Sequence, residues 1–268
     1  MSLRMPYGWP ARFVHAALLL LLFAAAPAEA KEVRILAFGD SLTAGYGLPP
    51  GQGFAPQLQA ALRRNGVRAI VTDGGVSGDT VAAGRARLGW TLEGLGAKPD
   101  LVIVALGGND MLRGLPPRQT RGDLEAILAE LRRRGIRILV AGMVAAPNLG
   151  ESYGREYGAI FPDLARKYGA ALYPFFLAGV AGDARLLLAD RIHPNFQGIK
   201  AMVTGIAPVV IEGSGEVGNP GALPGAPASR QAPLGSRGGA ETRRVRGCWR
   251  GWRKRSRSCG AKRFYQPT

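Results

Sequence analysis

The chain has 268 residues, 47% hydrophobic and 20% charged, with 35 Lys and Arg against 19 Asp and Glu, two Cys and two His. This composition excludes a disordered, collagen-like or disulfide-stapled protein, because it supplies enough apolar side chain for a core of ordinary size. The net charge of +16 would suggest nucleic acid or an anionic surface as partner, but it divides into +1 over residues 1–30, +5 over 31–212 and +10 over 213–268.

Residues 1–30 place Arg4 and Arg12 ahead of an apolar run from Phe13 to Ala26 and end in Ala28-Glu29-Ala30. The run is too short to span about 30 Å of hydrocarbon comfortably as a helix. Small residues stand at both positions that a signal peptidase reads. A signal peptide cleaved after Ala30 is therefore expected, with an uncleaved anchor as the alternative. The mature protein is then exported, periplasmic or secreted. Its body, 31–212, has no Cys, which excludes a disulfide framework, a Cys metal site and a cysteine nucleophile there.

Within the body, short apolar runs alternate with amphipathic stretches, the pattern of repeated strand-helix units on a parallel sheet. Strands are predicted at Val33–Phe38, Val67–Thr72, Leu101–Leu106, Ile136–Val140 and Ala171–Tyr173. Helices are expected over Phe54–Asn65 and Glu151–Tyr168, each followed by a glycine suited to a left-handed cap. Two further apolar stripes, Leu124, Ile127, Leu128 and Leu131, then Phe196, Ile199, Val203 and Ile206, have helical spacing. The expected architecture is α/β, a three-layer α/β/α domain on a five-stranded parallel sheet. Chemistry in such a sheet belongs beyond the carboxyl ends of the strands.

Three segments occupy those positions, Gly39-Asp40-Ser41-Leu42-Thr43, Gly74 to Thr80 and Gly107-Gly108-Asn109-Asp110, and a fourth, Asp190-Arg191-Ile192-His193-Pro194, lies near the C-terminal end of the body. His15 lies in the expected signal peptide, so His193 is the one imidazole of the mature body and a multi-histidine zinc site is excluded. A serine hydroxyl needs an adjacent base, and the imidazole needs an acceptor to fix its tautomer. Ser41, His193 and Asp190 are the inferred triad. Three donors stand ready for a tetrahedral oxyanion: the amides of Ser41 and Gly78 and the side chain of Asn109. In isolation, Ser41 also reads as a helix N-cap, Asn109 as a turn residue, Asp190 as a turn cap and His193 as a surface histidine. Asp40 and Asp110 read as loop hydrogen-bond acceptors rather than metal ligands. The glycines at 39, 45 and 47 do not complete a phosphate-binding fingerprint, although a flavodoxin-like redox or binding module is an alternative for such a loop.

Gly39-Asp40-Ser41-Leu42, Gly78, Gly107-Gly108-Asn109-Asp110 and Asp190-x-x-His193-Pro194 together resemble the four sequence blocks of the SGNH, or GDSL, hydrolases, in the same order over about residues 33–210. Ser77-Gly78-Asp79-Thr80 and the string from Leu106 to Gly114 are most similar to its periplasmic thioesterase, lysophospholipase and arylesterase branch. The resemblance implies a flavodoxin-like fold, Ser41 as nucleophile with Asp190 and His193, and an oxyanion hole of Ser41, Gly78 and Asn109. It further implies activity on acyl esters and thioesters, small molecules or lipids, and a flap over Asp110–Pro117. Asp73 departs from the Asn that such sequences often carry, which touches a structural hydrogen bond only. No cofactor or metal is implied, no nucleic acid is expected for the core, and a monomer is expected. A short-chain or carbohydrate acetylesterase with the same triad is the enzyme alternative.

From Gly213 the chain turns to Gly, Pro, Ala and Ser and then to Arg-rich sequence with Cys248, Trp249, Trp252 and Cys259. Residues 213–268 are expected to be disordered in isolation. They read as a small disulfide loop contacting an anionic surface, as a solvated tail, or as sequence out of its reading frame. The non-enzymatic alternative is a binding module that uses this tail.

Overall fold

The computed structural model describes residues 32–214. The expectations for residues 1–30, and for the tail from 215 onward, lie outside the described residues. Five parallel strands form one sheet in the order β2-β1-β3-β4-β5: β1 (Val33–Gly39), β2 (Ala69–Gly75), β3 (Leu101–Ala105), β4 (Arg137–Ala141) and β5 (Ala171–Tyr173). Seven α-helices connect and flank them: α1 (Ser41–Ala44), α2 (Phe54–Arg64), α3 (Val81–Glu93), α4 (Gly108–Leu112), α5 (Pro117–Arg133), α6 (Glu151–Tyr168) and α7 (Phe196–Gly213). Contacts between α2 and α7 make one layer, and contacts of α5 with α3 and α6 make the other.

The central strands need apolar residues on both faces because helices cover both. In β3 every residue from Leu101 to Ala105 is buried, and β1 is buried at six of its seven positions. Each fully buried Leu, Ile or Phe in this core contributes roughly 1.5–3 kcal/mol of transfer free energy. The helices match that demand. Leu124, Ile127, Leu128 and Leu131 form the buried stripe of α5, while Ile199, Met202, Val203, Ile206 and Val210 form that of α7. Phe196, expected on the α7 stripe, is exposed at the first position of the helix.

The second strand begins at Ala69 rather than Val67, because the Val67 amide closes the end of α2 on the Leu62 carbonyl. It runs on through Gly74 and Gly75, which pair with Phe38 and Gly39 although they have no side chains to pack. Helix α3 has no unbroken apolar stripe of helical spacing in the sequence. Its buried positions are Val81, Gly84, Leu88 and Leu92, and the glycine breaks the apolar stripe because a Cβ at 84 would lie 2.4 Å from Leu106.

The chain leaves β1 to one side for β2 and returns to the other side of β1 for β3. The strand order thus reverses between β1 and β3, the position at which such sheets bind ligands. Ser41 follows β1 and Asn109 follows β3.

Candidate active site

Strand β1 delivers Asp40 and Ser41 to the carboxyl edge of the sheet, where the chain turns at once into α1. Asp40 is the N-cap of that helix, its Oδ1 accepting from the Leu42 amide at 3.0 Å. Ser41 is the first helical residue, so its amide is among the first-turn donors without an intrahelical acceptor. Its hydroxyl is not a cap. The Oγ instead lies 2.9 Å from Nε2 of His193, and Nδ1 of the same ring lies 2.7 Å from Oδ2 of Asp190.

The other oxygen of Asp190 accepts from the amides of Ile192 (2.9 Å) and His193 (3.0 Å). Partial burial raises the Asp190 pKa, but these two amides and the imidazole outweigh it and hold the carboxyl below its ordinary value. The turn is strained: Arg191 has φ +63°, the one positive φ at a non-glycine among the described residues. It is pinned on both sides. Leu188 donates to the His193 carbonyl at 2.7 Å, Asn195 donates to the Leu186 carbonyl at 2.9 Å, and the Asn195 side chain caps α7 through the amides of Gln197 and Gly198.

The other two residues expected as oxyanion donors, Gly78 and Asn109, follow β2 and β3. Gly78 has φ +89°, a left-handed conformation that favours glycine, and a Cβ there would meet nothing within 4 Å. Asn109 sits in the first turn of α4, behind Gly107 at φ +115°, whose carbonyl accepts from Tyr157 Oη at 2.6 Å. One amide proton of Asn109 goes to the Asp79 carbonyl (Nδ2···O 2.9 Å). The second faces Asp40 Oδ2 at a long 3.4 Å and is thereby available to a stronger acceptor.

The acidic residues nearby hold the loops. Asp110 is buried and accepts from the Val81 amide and the Thr120 hydroxyl. Asp40 is 1% exposed, and burial pushes its pKa up to about 7, aided by the Asp79 and Asp110 carboxylates and opposed by the Leu42 amide. Both are the loop acceptors that the sequence suggests. Asp73 accepts from the Gly75 amide at 2.8 Å, and its pKa is raised by burial. Among the described residues no three His, Cys, Asp or Glu side chains gather as a metal site.

The three inferred triad residues thus meet in one relay, and Asn109 joins Asp40 and Asp79 beside it. Two participants had no sequence signal. Tyr46 lies across the His193 ring with centroids 4.4 Å apart and planes at 38°. Arg87, on α3, reaches Asp79 and the end of β1. In the expected flap segment, Arg113 donates to the Gly78 carbonyl at 2.9 Å, and the Leu115 carbonyl accepts from Tyr153.

The GDSL-like Lipase/Acylhydrolase family model matches residues 37–201. The esterase TesA of Pseudomonas aeruginosa is 38% identical over 166 residues, which cover 62% of this chain and 82% of that protein. The thioesterase 1/protease 1/lysophospholipase L1 of Escherichia coli K12 is 35% identical over 178 residues, 66% of this chain and 81% of that protein. Among solved structures, AlinE4, described as an SGNH-hydrolase family esterase, superposes with a TM-score of 0.59 at 48% identity, covering 69% of this chain and 98% of its own.

Proposed function

The chain belongs to the GDSL-like lipase/acylhydrolase family, and on that premise we propose that it hydrolyses acyl esters and thioesters with Ser41 as nucleophile, His193 as general base and acid, and Asp190 as the partner of the imidazole. The observation that carries this reading is the relay from Ser41 Oγ to His193 Nε2 at 2.9 Å and from Nδ1 to Asp190 at 2.7 Å. His193 takes the Ser41 proton as Oγ attacks the acyl carbonyl, and Asp190 stabilises the imidazolium that results. The oxyanion is received by the amides of Ser41 and Gly78 and the side chain of Asn109. The alcohol or thiol leaves with the proton from His193, and water then releases the acid by the same steps.

Tyr46, Val76 and Ile192 on the loops and Leu112 at the end of α4 are exposed apolar side chains near these residues in the chain, which supports an apolar acyl group as substrate. Export is part of the same reading, on the strength of the leader pattern over residues 1–30. A mature N-terminus at Lys31 is its check.

The test compares the full chain with its Ser41→Ala variant on p-nitrophenyl esters from acetate to palmitate. Turnover by the parent and a loss of about 10³-fold or more in the variant are expected. Equal rates would remove Ser41 from the role. The optimum of chain length separates a long-chain acyl hydrolase from an acetylesterase.

A further inference from the structure

Arg87 makes no contact with the proposed reacting atoms, yet it joins the segments that carry them. Its Nε donates to Asp79 Oδ2 at 2.6 Å and its Nη2 to the Gly39 carbonyl at 2.9 Å. A third contact runs from Nη1 to the Thr91 hydroxyl at 3.3 Å, and the guanidinium carbon stands 4.2 Å from the centroid of the Phe38 ring. The ion pair is largely withdrawn from water, with side chains 17% and 12% exposed.

Both anchors matter for geometry. Gly39 ends β1 two residues before Ser41, and its carbonyl also accepts from the Val76 amide at 3.0 Å, which ties the loop after β2 to the nucleophile strand. Asp79 directly follows Gly78, and its carbonyl holds one amide proton of Asn109. One planar cation therefore references the Gly78 loop, and through Asp79 the Asn109 side chain, to the strand that presents Ser41. A guanidinium suits this task because its fork binds two acceptors in fixed directions while its face lies on an aromatic ring; an ammonium is a point charge and cannot do all three.

We infer that Arg87 is a positioning residue for the oxyanion hole, holding Gly78 and Asn109 at the distance from Ser41 that the tetrahedral intermediate requires. The inference rests on the hydrolase reading and deepens it. Oxyanion donors act when they stand about 2.7–3.1 Å from the developing charge, and a displacement of about 1 Å costs on the order of 10²-fold. Because that interaction belongs to the transition state, its loss appears in kcat rather than KM.

The experiment measures kcat and KM on a short p-nitrophenyl ester for the full chain, Arg87→Ala, Arg87→Lys, Asn109→Ala and the Arg87→Ala/Asn109→Ala double variant, with folding followed by circular dichroism. Arg87→Ala is expected to lower kcat by about 10- to 100-fold with KM changed by less than about threefold. In the Asn109→Ala background part of that loss should vanish, since one of the two donors that Arg87 holds is already gone. Arg87→Lys should fall between, and millimolar ethylguanidinium should restore part of the Arg87→Ala rate. The same fold loss in both backgrounds, or a rise in KM at constant kcat, would overturn the inference. If Arg87→Ala does not fold, Asp79→Ala takes its place, because it keeps the backbone carbonyl that holds Asn109 and removes the side chain that holds Arg87. A kcat-selective loss that is non-additive with Asn109→Ala supports the role; a full-rate Asp79→Ala protein defeats it. A Ser41→Ala control separates the two readings: activity retained there overturns the nucleophile assignment, whereas an inactive control with additive Arg87 losses overturns only the positioning role.

Discussion

Asp190 holds His193 twice. Its Oδ2 pairs with the ring at Nδ1, 2.7 Å away, and its Oδ1 accepts the backbone amide of the same residue at 3.0 Å, so one carboxylate sets both the direction of the imidazole and the turn from which it projects. The two functions separate by substitution. Asp190→Asn keeps an oxygen for the amides of Ile192 and His193 but offers the ring no charge and turns an amide donor toward it. We expect kcat/KM to fall by about 10²–10⁴-fold with the melting temperature nearly unchanged. Asp190→Ala should lose activity to a similar degree and also about 1–2 kcal/mol of stability, because two amides of the turn lose their acceptor. Ester hydrolysis and thermal unfolding measured side by side check both, and an Asp190→Asn protein of nearly full activity would remove Asp190 from the relay.

In the proposed mechanism Asn109 divides its amide between structure and catalysis, with one proton on the Asp79 carbonyl and the other in a 3.4 Å contact to Asp40. Removing the side chain should lower kcat by about 10²–10³-fold, the cost of one oxyanion donor. KM should move little, because the ground-state carbonyl makes weak use of that donor. A steady-state comparison of Asn109→Ala with the parent enzyme decides it: a KM effect alone would place Asn109 in substrate binding.

The loops proved easier to read than some of the elements between them. Ser41 and Asn109 stand out as candidates because they follow glycine-bearing turns at the ends of β1 and β3, where backbone geometry limits the residue types, and His193 because it is the one imidazole of residues 31–212. The strands β3 and β4 were legible for a different reason: burial on both faces forces an unbroken apolar run. Helix α3 had no such signature. Gly84 serves close packing against Leu106 where periodicity would require a large apolar side chain. Arg87 was hidden with it, for a half-buried arginine on such a helix looks like any surface charge until its partners, 8 and 48 residues away, are brought to it by the fold. Tyr46 likewise meets His193 only through tertiary structure.

Gly107 meets two separate constraints at once. Its φ of +115° is one that side-chain-bearing residues rarely adopt, and a Cβ would stand 2.7 Å from the Tyr157 hydroxyl and 3.2 Å from Phe161. Tyr157 is fully buried and donates to the Gly107 carbonyl, so it has little room to retreat. Gly107→Ala should therefore cost about 2–4 kcal/mol, combining backbone strain with overpacking. Gly78→Ala, with a similar φ sign but open space around the Cβ, should cost only about 1–2 kcal/mol. Urea unfolding of the two variants tests the ordering, and equal losses would show that strain alone sets the cost.

Asp40 makes stability depend on pH in the direction opposite to most carboxylates. Its pKa rises from 3.8 to about 7 in the folded protein, first because burial disfavours the charge and then because Asp79 and Asp110 face it. The folded state thus binds the proton more tightly than the unfolded chain does. The stability that this contributes is fully present below about pH 4 and is lost as pH rises through about 7. Asp110 and Asp73, also raised, act in the same sense, whereas Asp190 and Asp183, both lowered, contribute stability that is lost as pH falls. The net curve mixes all of these, so the contribution of Asp40 is read from a difference. Asp40→Asn keeps an oxygen for the Leu42 amide and removes the ionisation. Its stability relative to the parent should improve by roughly 2–3 kcal/mol between pH 5 and pH 8, whatever its offset at pH 5, because each unit of pH across the window costs the parent up to about 1.4 kcal/mol. Chemical denaturation of both proteins at the two pH values checks the slope. A difference that does not change with pH would mean that Asp40 stays ionised throughout, with its burial offset by the Leu42 amide and Asn109 rather than by a proton.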